Sequence, residues 1–206
     1  MSLRTLLATA AATFAFAAAP ALAQQPFSMV SPPQPTEGGG KIEVIEFFWY
    51  GCPHCLNLEP LVNTFVKNAP KDVVFKRVPA IPSDAWGEHA KIFYTLEAMN
   101  LLDKYHQKVF EAIQNERVNL GNKKLRDEWL AKNGIDPAKY AEVEKSFSVA
   151  TKMQRAKQLT FAYKVDSVPR VIVNGKYATS AEQAGGPQNI FTVVDQLIAQ
   201  SRKEKS

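Results

Sequence analysis

The stretch Ile42-Glu43-Val44-Ile45-Glu46-Phe47-Phe48-Trp49-Tyr50-Gly51-Cys52-Pro53-His54-Cys55 decides how this chain is read. Its first half, Ile42 to Phe48, is β-branched and aromatic, the composition of a buried central strand, and Glu46 sits inside it. Its end carries the only two cysteines in the sequence, spaced C-x-x-C. A strand that stops there and opens a helix puts Cys52 at a helix N-terminus, where unpaired N–H groups and the helix dipole favour an anion. Cys52 is therefore expected to be a thiolate at neutral pH. Cys55 falls one turn further in, close enough to close a small disulfide ring and less reachable from outside. The chemistry this implies is thiol–disulfide exchange.

Two plainer readings compete. Half of a zinc site would need further ligands, but no second Cys or Cys/His pair exists, and His89 and His106 stand far apart in sequence. A purely structural disulfide closing so short a loop would remove little entropy from the unfolded chain.

At the start of the chain, Arg4 precedes an alanine-rich apolar segment from Leu6 to Ala19, and Ala21-Leu22-Ala23 has the small-x-small pattern of a signal-peptidase site. Residues 1–23 read as a cleavable secretory signal, with the mature chain beginning near Gln24. As a membrane anchor the run is shorter than the ~20 residues a spanning helix needs, and Pro20 interrupts its end. No later segment reads as a span, so the expectation is an exported protein without stable membrane insertion, in an oxidising compartment that suits a redox disulfide.

With 25 Lys+Arg against 20 Asp+Glu the net charge is +5. Acids and bases interleave along the helical patterns, with no basic stripe or aromatic platform of the kind nucleic-acid binders show. Nucleic acid is excluded as a partner on that ground, and no cofactor-binding or metal-binding pattern is present.

The rest of the chain reads as follows. Residues 31–40, rich in Pro and Gly, form a loop after a short edge strand at Phe27 to Val30. Leu58, Leu61, Val62, Phe65 and Val66 recur at helical spacing, so a helix runs from the cysteines to about Asn68, kinked at Pro60. Val73 to Val78 is a second strand. Between Ser83 and Tyr163 only helical patterns occur: Trp86 to Met99, Leu101 to Gln114, Lys123 to Lys132, Pro137 to Phe147 and Val149 to Tyr163. Arg170 to Val173 and Lys176 to Ala178 flank Asn174-Gly175, a strong hairpin signal because both turn positions need φ > 0. Ile190, Val193, Val194, Leu197 and Ile198 mark an amphipathic closing helix, and Arg202 to Ser206 reads as a charged, frayed tail.

This order resembles an α/β thioredoxin fold with an inserted α-helical domain, and Cys52-Pro53-His54-Cys55 resembles the active site of the DsbA family of periplasmic thiol:disulfide interchange proteins. Glu46 six residues before Cys52, Pro60 five after Cys55, and Val168-Pro169 before the hairpin extend the likeness over nearly all of the mature chain. The domain organisation it implies is 24–82 and 164–206 as two parts of a thioredoxin-like domain, with 83–163 inserted between them.

The resemblance also implies roles. Pro169 would be cis against the disulfide, with Val168 offering its backbone to a bound peptide. Glu46 would be a buried acid that helps move the proton of Cys55; by its apolar neighbours alone it reads as a carboxylate of raised pKa, or else an edge-strand acid reaching solvent. Pro53 and His54 would stabilise the Cys52 thiolate, and a histidine between the sulfurs suits that role by its charge. His89 and His106 lie in helical patterns without such a constellation and are assigned no role. The implied activity is donation of the Cys52–Cys55 disulfide to cysteines of unfolded exported proteins, by a monomer, in the periplasm. A DsbB-like, quinone-linked membrane protein would reoxidise it.

A periplasmic isomerase or reductase of the same superfamily is the alternative, but such isomerases carry a dimerisation domain, for which Gln24 to Lys41 is too short. Gly51 departs from the bulky aromatic that adjoins the cysteine in the best-known relatives, which bears on groove shape.

Overall fold

The computed structural model describes residues 25–205; the signal-peptide reading of residues 1–23 lies outside them. The first strands are β1 (Ser28–Met29), β2 (Ile42–Phe48) and β3 (Val73–Pro79), with α1 (Pro53–Asn68) between β2 and β3. Five helices follow: α2 (Asp84–Ala98), α3 (Leu102–Gln114), α4 (Lys123–Lys132), α5 (Pro137–Glu144) and α6 (Phe147–Ala162). The chain then returns to the sheet through β4 (Arg170–Val173) and β5 (Tyr177–Thr179) and closes with α7 (Ile190–Lys205).

The sheet order is β1-β5-β4-β2-β3. β2 pairs in parallel with β3 and antiparallel with β4, and all seven of its residues are buried, so it is the central strand that its composition predicts. A strand buried on both faces must bury its polar positions too, and Glu43 and Glu46 are both inside. Alternation sends Ile42 and Val44 to a core made with Leu58 and Val62 of α1 and Val194 and Leu197 of α7. Ile45 and Phe47 face a larger core built with α2 to α6. The helices between β3 and β4 thus cover one sheet face, and α1 and α7 the other.

Local signals account for most boundaries. Asn122, Asp136 and Ser146 cap α4, α5 and α6 through side-chain oxygens that accept from Leu125, Ala138 and Val149 N–H groups. The Ser146 cap moves the α5/α6 junction two to three residues earlier than the apolar spacing suggests. Asn174 and Gly175 both have positive φ, as their turn requires. α1 continues without a break through Pro60. The C-terminal tail differs from expectation: α7 extends to Lys205, because Arg202 makes a two-pronged pair with Asp72 at 2.8 and 2.9 Å and Glu204 pairs with Lys176 at 2.7 Å.

Candidate functional site

Cys52 is the N-cap of α1, with extended backbone, and Pro53 opens the helix where its fixed φ is suited and its missing N–H costs nothing. The Cys52 carbonyl accepts from Cys55 N at 3.1 Å and Leu56 N at 3.2 Å, which turns the loop into helix. Both cysteines are free thiols, so this is the reduced pair. They are not equivalent: Cys52 keeps 8% of its surface exposed and Cys55 none. Pro53 and His54 are exposed beside them.

The electrostatics follow the same asymmetry. A hydrogen bond from the Cys55 thiol, with backbone N–H groups of Cys55 and His54 and the charge of His54, outweighs partial burial and lowers the Cys52 pKa from 9.0 to about 6. Burial, then the hydrogen bond with Cys52 and its charge, push Cys55 far upward. One sulfur is therefore set up as nucleophile and stable leaving group, the other as a thiol that holds its proton.

Across the site, the Val168–Pro169 peptide is cis, Pro169 is buried, and the Val168 carbonyl oxygen lies 3.3 Å from Cys52 Sγ. The loop before β4 thus brings Val168 and Pro169 to the cysteines. Trp49 stacks on Trp86 of α2, ring centroids 4.2 Å apart and 6° from parallel, with His89 next in the stack at 5.7 Å from Trp49. A Cβ on Gly51 would overlap the Trp49 indole. Gly51, without a side chain, thus leaves room for the Trp49 ring.

Glu46 is fully buried on the α1 side of β2, and neither carboxylate oxygen has a hydrogen-bond partner among the described residues. Burial first, then the nearby charge of Glu59, raise its pKa from 4.5 to about 8, against the opposing pull of Arg77. Its charge is also felt at Cys55. Its burial agrees with the sequence reading.

Five residues without an assigned role gather behind the cysteines. Arg77, the register partner of Glu46, places Nε 3.9 Å from Glu46 and Nη2 3.0 Å from Glu59 Oε2. The other oxygen of Glu59 meets His106 Nε2 at 3.1 Å, and His106 Nδ1 meets the Tyr50 hydroxyl at 2.7 Å. Burial alone would raise Glu59, but the hydrogen bonds from His106 and Arg77 and the Arg77 charge prevail and hold it below 4.5. Burial lowers His106, so its neutral ring donates through Nε2 to Glu59 and accepts at Nδ1 from Tyr50. Gln114, at the end of α3, donates from Nε2 to the carbonyls of Tyr50 and Cys52, each at 2.9 Å. The available signal was polarity on an apolar face: His106 shares its stripe with Val109 and Phe110, and Glu59 lies between Leu58 and Val62.

With this geometry in hand, three kinds of likeness agree. A family model described as the DSBA-like thioredoxin domain matches residues 79–197. The thiol:disulfide interchange protein DsbA of Bordetella pertussis strain Tohama I is 46% identical over 202 residues, 96% of each chain. That of Azotobacter vinelandii is 44% identical over 168 residues, 82% of this chain and 78% of its own. Among solved structures, Pseudomonas aeruginosa DsbA superposes with a TM-score of 0.83 at 39% identity, covering 88% of this chain and 94% of that one. The oxidoreductase DsbA from Xylella fastidiosa gives 0.77 at 25% identity, covering 86% and 95%.

Proposed function

The chain belongs to the DsbA family of thiol:disulfide oxidoreductases, and from that premise we propose that the Cys52–Cys55 disulfide is what it donates to cysteines of newly exported proteins. The asymmetry of the two sulfurs carries this reading, with Cys52 keeping a small exposed surface and an acidic thiol and Cys55 wholly buried with a raised pKa.

In the oxidised protein, a substrate thiolate attacks Cys52 Sγ; the Cys52–Cys55 bond breaks, a mixed disulfide forms, and Cys55 leaves as a thiolate that takes up a proton. In this reading Glu46, still largely a carboxylic acid at neutral pH and electrostatically linked to Cys55, supplies that proton. A second substrate thiolate then attacks the substrate's own sulfur, and Cys52 departs as a stabilised thiolate. Two electrons have passed to the enzyme, and the substrate holds the new disulfide. Pro53 and His54 support the Cys52 thiolate, while Val168 and Pro169 flank it where an extended peptide would lie.

The remaining assignments belong to the same proposal. Residues 1–23 act as signal peptide, the protein works in the periplasm as a monomer, and a DsbB-like, quinone-linked membrane protein restores the disulfide. Residues 83–163 form the helical insertion between the two parts of the thioredoxin-like domain, 24–82 and 164–206. Among the described residues no helix is long and apolar enough to cross a membrane.

The test is the equilibrium of the mature protein with a glutathione buffer at neutral pH, together with its ability to oxidise a reduced, unfolded substrate. A strongly oxidising pair and loss of turnover in Cys52→Ser are the expected outcomes. A pair as reducing as thioredoxin's would overturn donation in favour of reduction or isomerisation.

A further inference from the structure

We propose that Gln114, supplied by the helical insertion, is a positioning residue that tunes Cys52 by fixing the carbonyl groups of the active-site turn. This rests on the disulfide-donor reading and adds to it a specific link between the insertion and the reactive sulfur.

One stripe of α3 faces the turn. His106, Phe110 and Gln114 lie four residues apart, so they stack along one side of the helix. The first holds the Tyr50 hydroxyl at 2.7 Å, and the second meets the Tyr50 ring edge-on with centroids 4.7 Å apart. The third reaches past the ring to the main chain. A glutamine amide has two N–H donors, and here both are used, one on the Tyr50 carbonyl and one on the Cys52 carbonyl. The side chain therefore spans the Gly51 hinge of the turn and ties down the peptide planes on both sides of it.

The Cys52 carbonyl is the acceptor that starts α1. It already receives Cys55 N and Leu56 N, and Gln114 adds a third donor. The orientation of that first turn sets how the backbone N–H groups of His54 and Cys55 stand toward Cys52 Sγ, and both contribute to its lowered pKa. Pro53 has no N–H and cannot help to fix the turn from within. Gln114 supplies that constraint from outside. It also offsets the partial negative charge of two carbonyl oxygens in the turn that carries the thiolate, an arrangement that favours the ionised sulfur.

The experiment compares wild type with Gln114→Met, which keeps the length and removes both donors, and Gln114→Glu, which removes them and adds negative charge. Each is titrated by the ultraviolet absorbance of its thiolate and equilibrated with glutathione. In Gln114→Met the Cys52 titration should move upward by about one unit, with a matching loss of about tenfold in preference for the reduced form; Gln114→Glu should move it at least as far. Unchanged titration and equilibrium in Gln114→Met would overturn the inference, whatever happens to thermal stability, since a merely structural brace leaves both where they were. If the variants do not fold, the wild-type protein decides: the Gln114 side-chain amide resonances should follow the Cys52 titration, and their failure to move would also overturn it. A wild-type pair that is not oxidising would instead refute the donor reading itself, a distinct result.

Discussion

Glu46 and Arg77 are register partners in the parallel pair β2–β3, yet Arg77 keeps its Nε 3.9 Å from Glu46 and directs Nη2 to Glu59 at 3.0 Å. The guanidinium thus neutralises one buried carboxylate and leaves the other protonated over most of the physiological range.

Opposite signs follow for the two acids. Glu46 has a folded pKa above its ordinary value, so its contribution to stability is most favourable below pH 4.5 and is lost as pH rises through about 8. Replacing it with Gln should stabilise the reduced protein at pH 7 by at most about 3 kcal/mol, with the gain shrinking toward pH 4.5. Glu59→Gln should instead cost ~3–5 kcal/mol, because Arg77 and His106 lose their partner in a buried site. Denaturant unfolding at the two pH values checks both, and a Glu46→Gln variant no more stable than wild type would refute the first.

Cys52 carries the reverse linkage of Glu46. Its folded pKa of about 6 lies below the ordinary thiol value, so its stabilisation of the reduced protein is lost as pH falls through 6 and grows as pH rises toward 9. Between pH 5 and 7 the reduced form should gain about 1.4 kcal/mol from this group. The oxidised form lacks the thiolate and should show no such gain, so unfolding curves of the two forms at both pH values measure the difference directly.

The order of influences on Cys52 is itself testable. The Cys55 thiol contributes more to the acidity of Cys52 than the charge of His54 does. Cys55→Ala should therefore shift the thiolate titration upward further than His54→Ala. Thiolate absorbance on the two variants gives the ranking, and a larger shift in His54→Ala would contradict it.

Gly51→Ala should dislodge Trp49, whose indole occupies the space of the new Cβ. Overpacking of this kind costs about 1–3 kcal/mol, and the parallel Trp49–Trp86 stack should open. Tryptophan fluorescence reports the stack, and an unchanged spectrum with full stability would refute the clash.

The strand Ile42–Phe48, the helix behind the cysteines, the five helices between β3 and β4 and the Asn174-Gly175 turn are all legible in the sequence because each is decided by local pattern or turn chemistry. Cys52, Cys55 and Glu46 are legible for the same reason, standing in one short stretch. Glu59, His106 and Gln114 are not: His106 meets Glu59 across 47 residues and Gln114 meets Tyr50 across 64, so their partners appear only once α3 is packed against the turn. The end of α7 is hidden on similar grounds. Charge without visible partners reads as a loose tail, whereas Arg202 finds Asp72 from 130 residues away.

The sheet order has a consequence in time. β2 must pair with β4, so Phe47 waits for Arg170 before the centre of the sheet can close. Such long-range pairing forms late, after the loop between has been brought together. Until β4 arrives, Val168 and Pro169 are absent from the side of Cys52, and α1 has only the β2–β3 pair behind it. The emerging chain therefore carries its cysteine pair and their turn before the loop of Val168 and Pro169 stands beside them, and the two sides of the site meet only after β4 has been delivered.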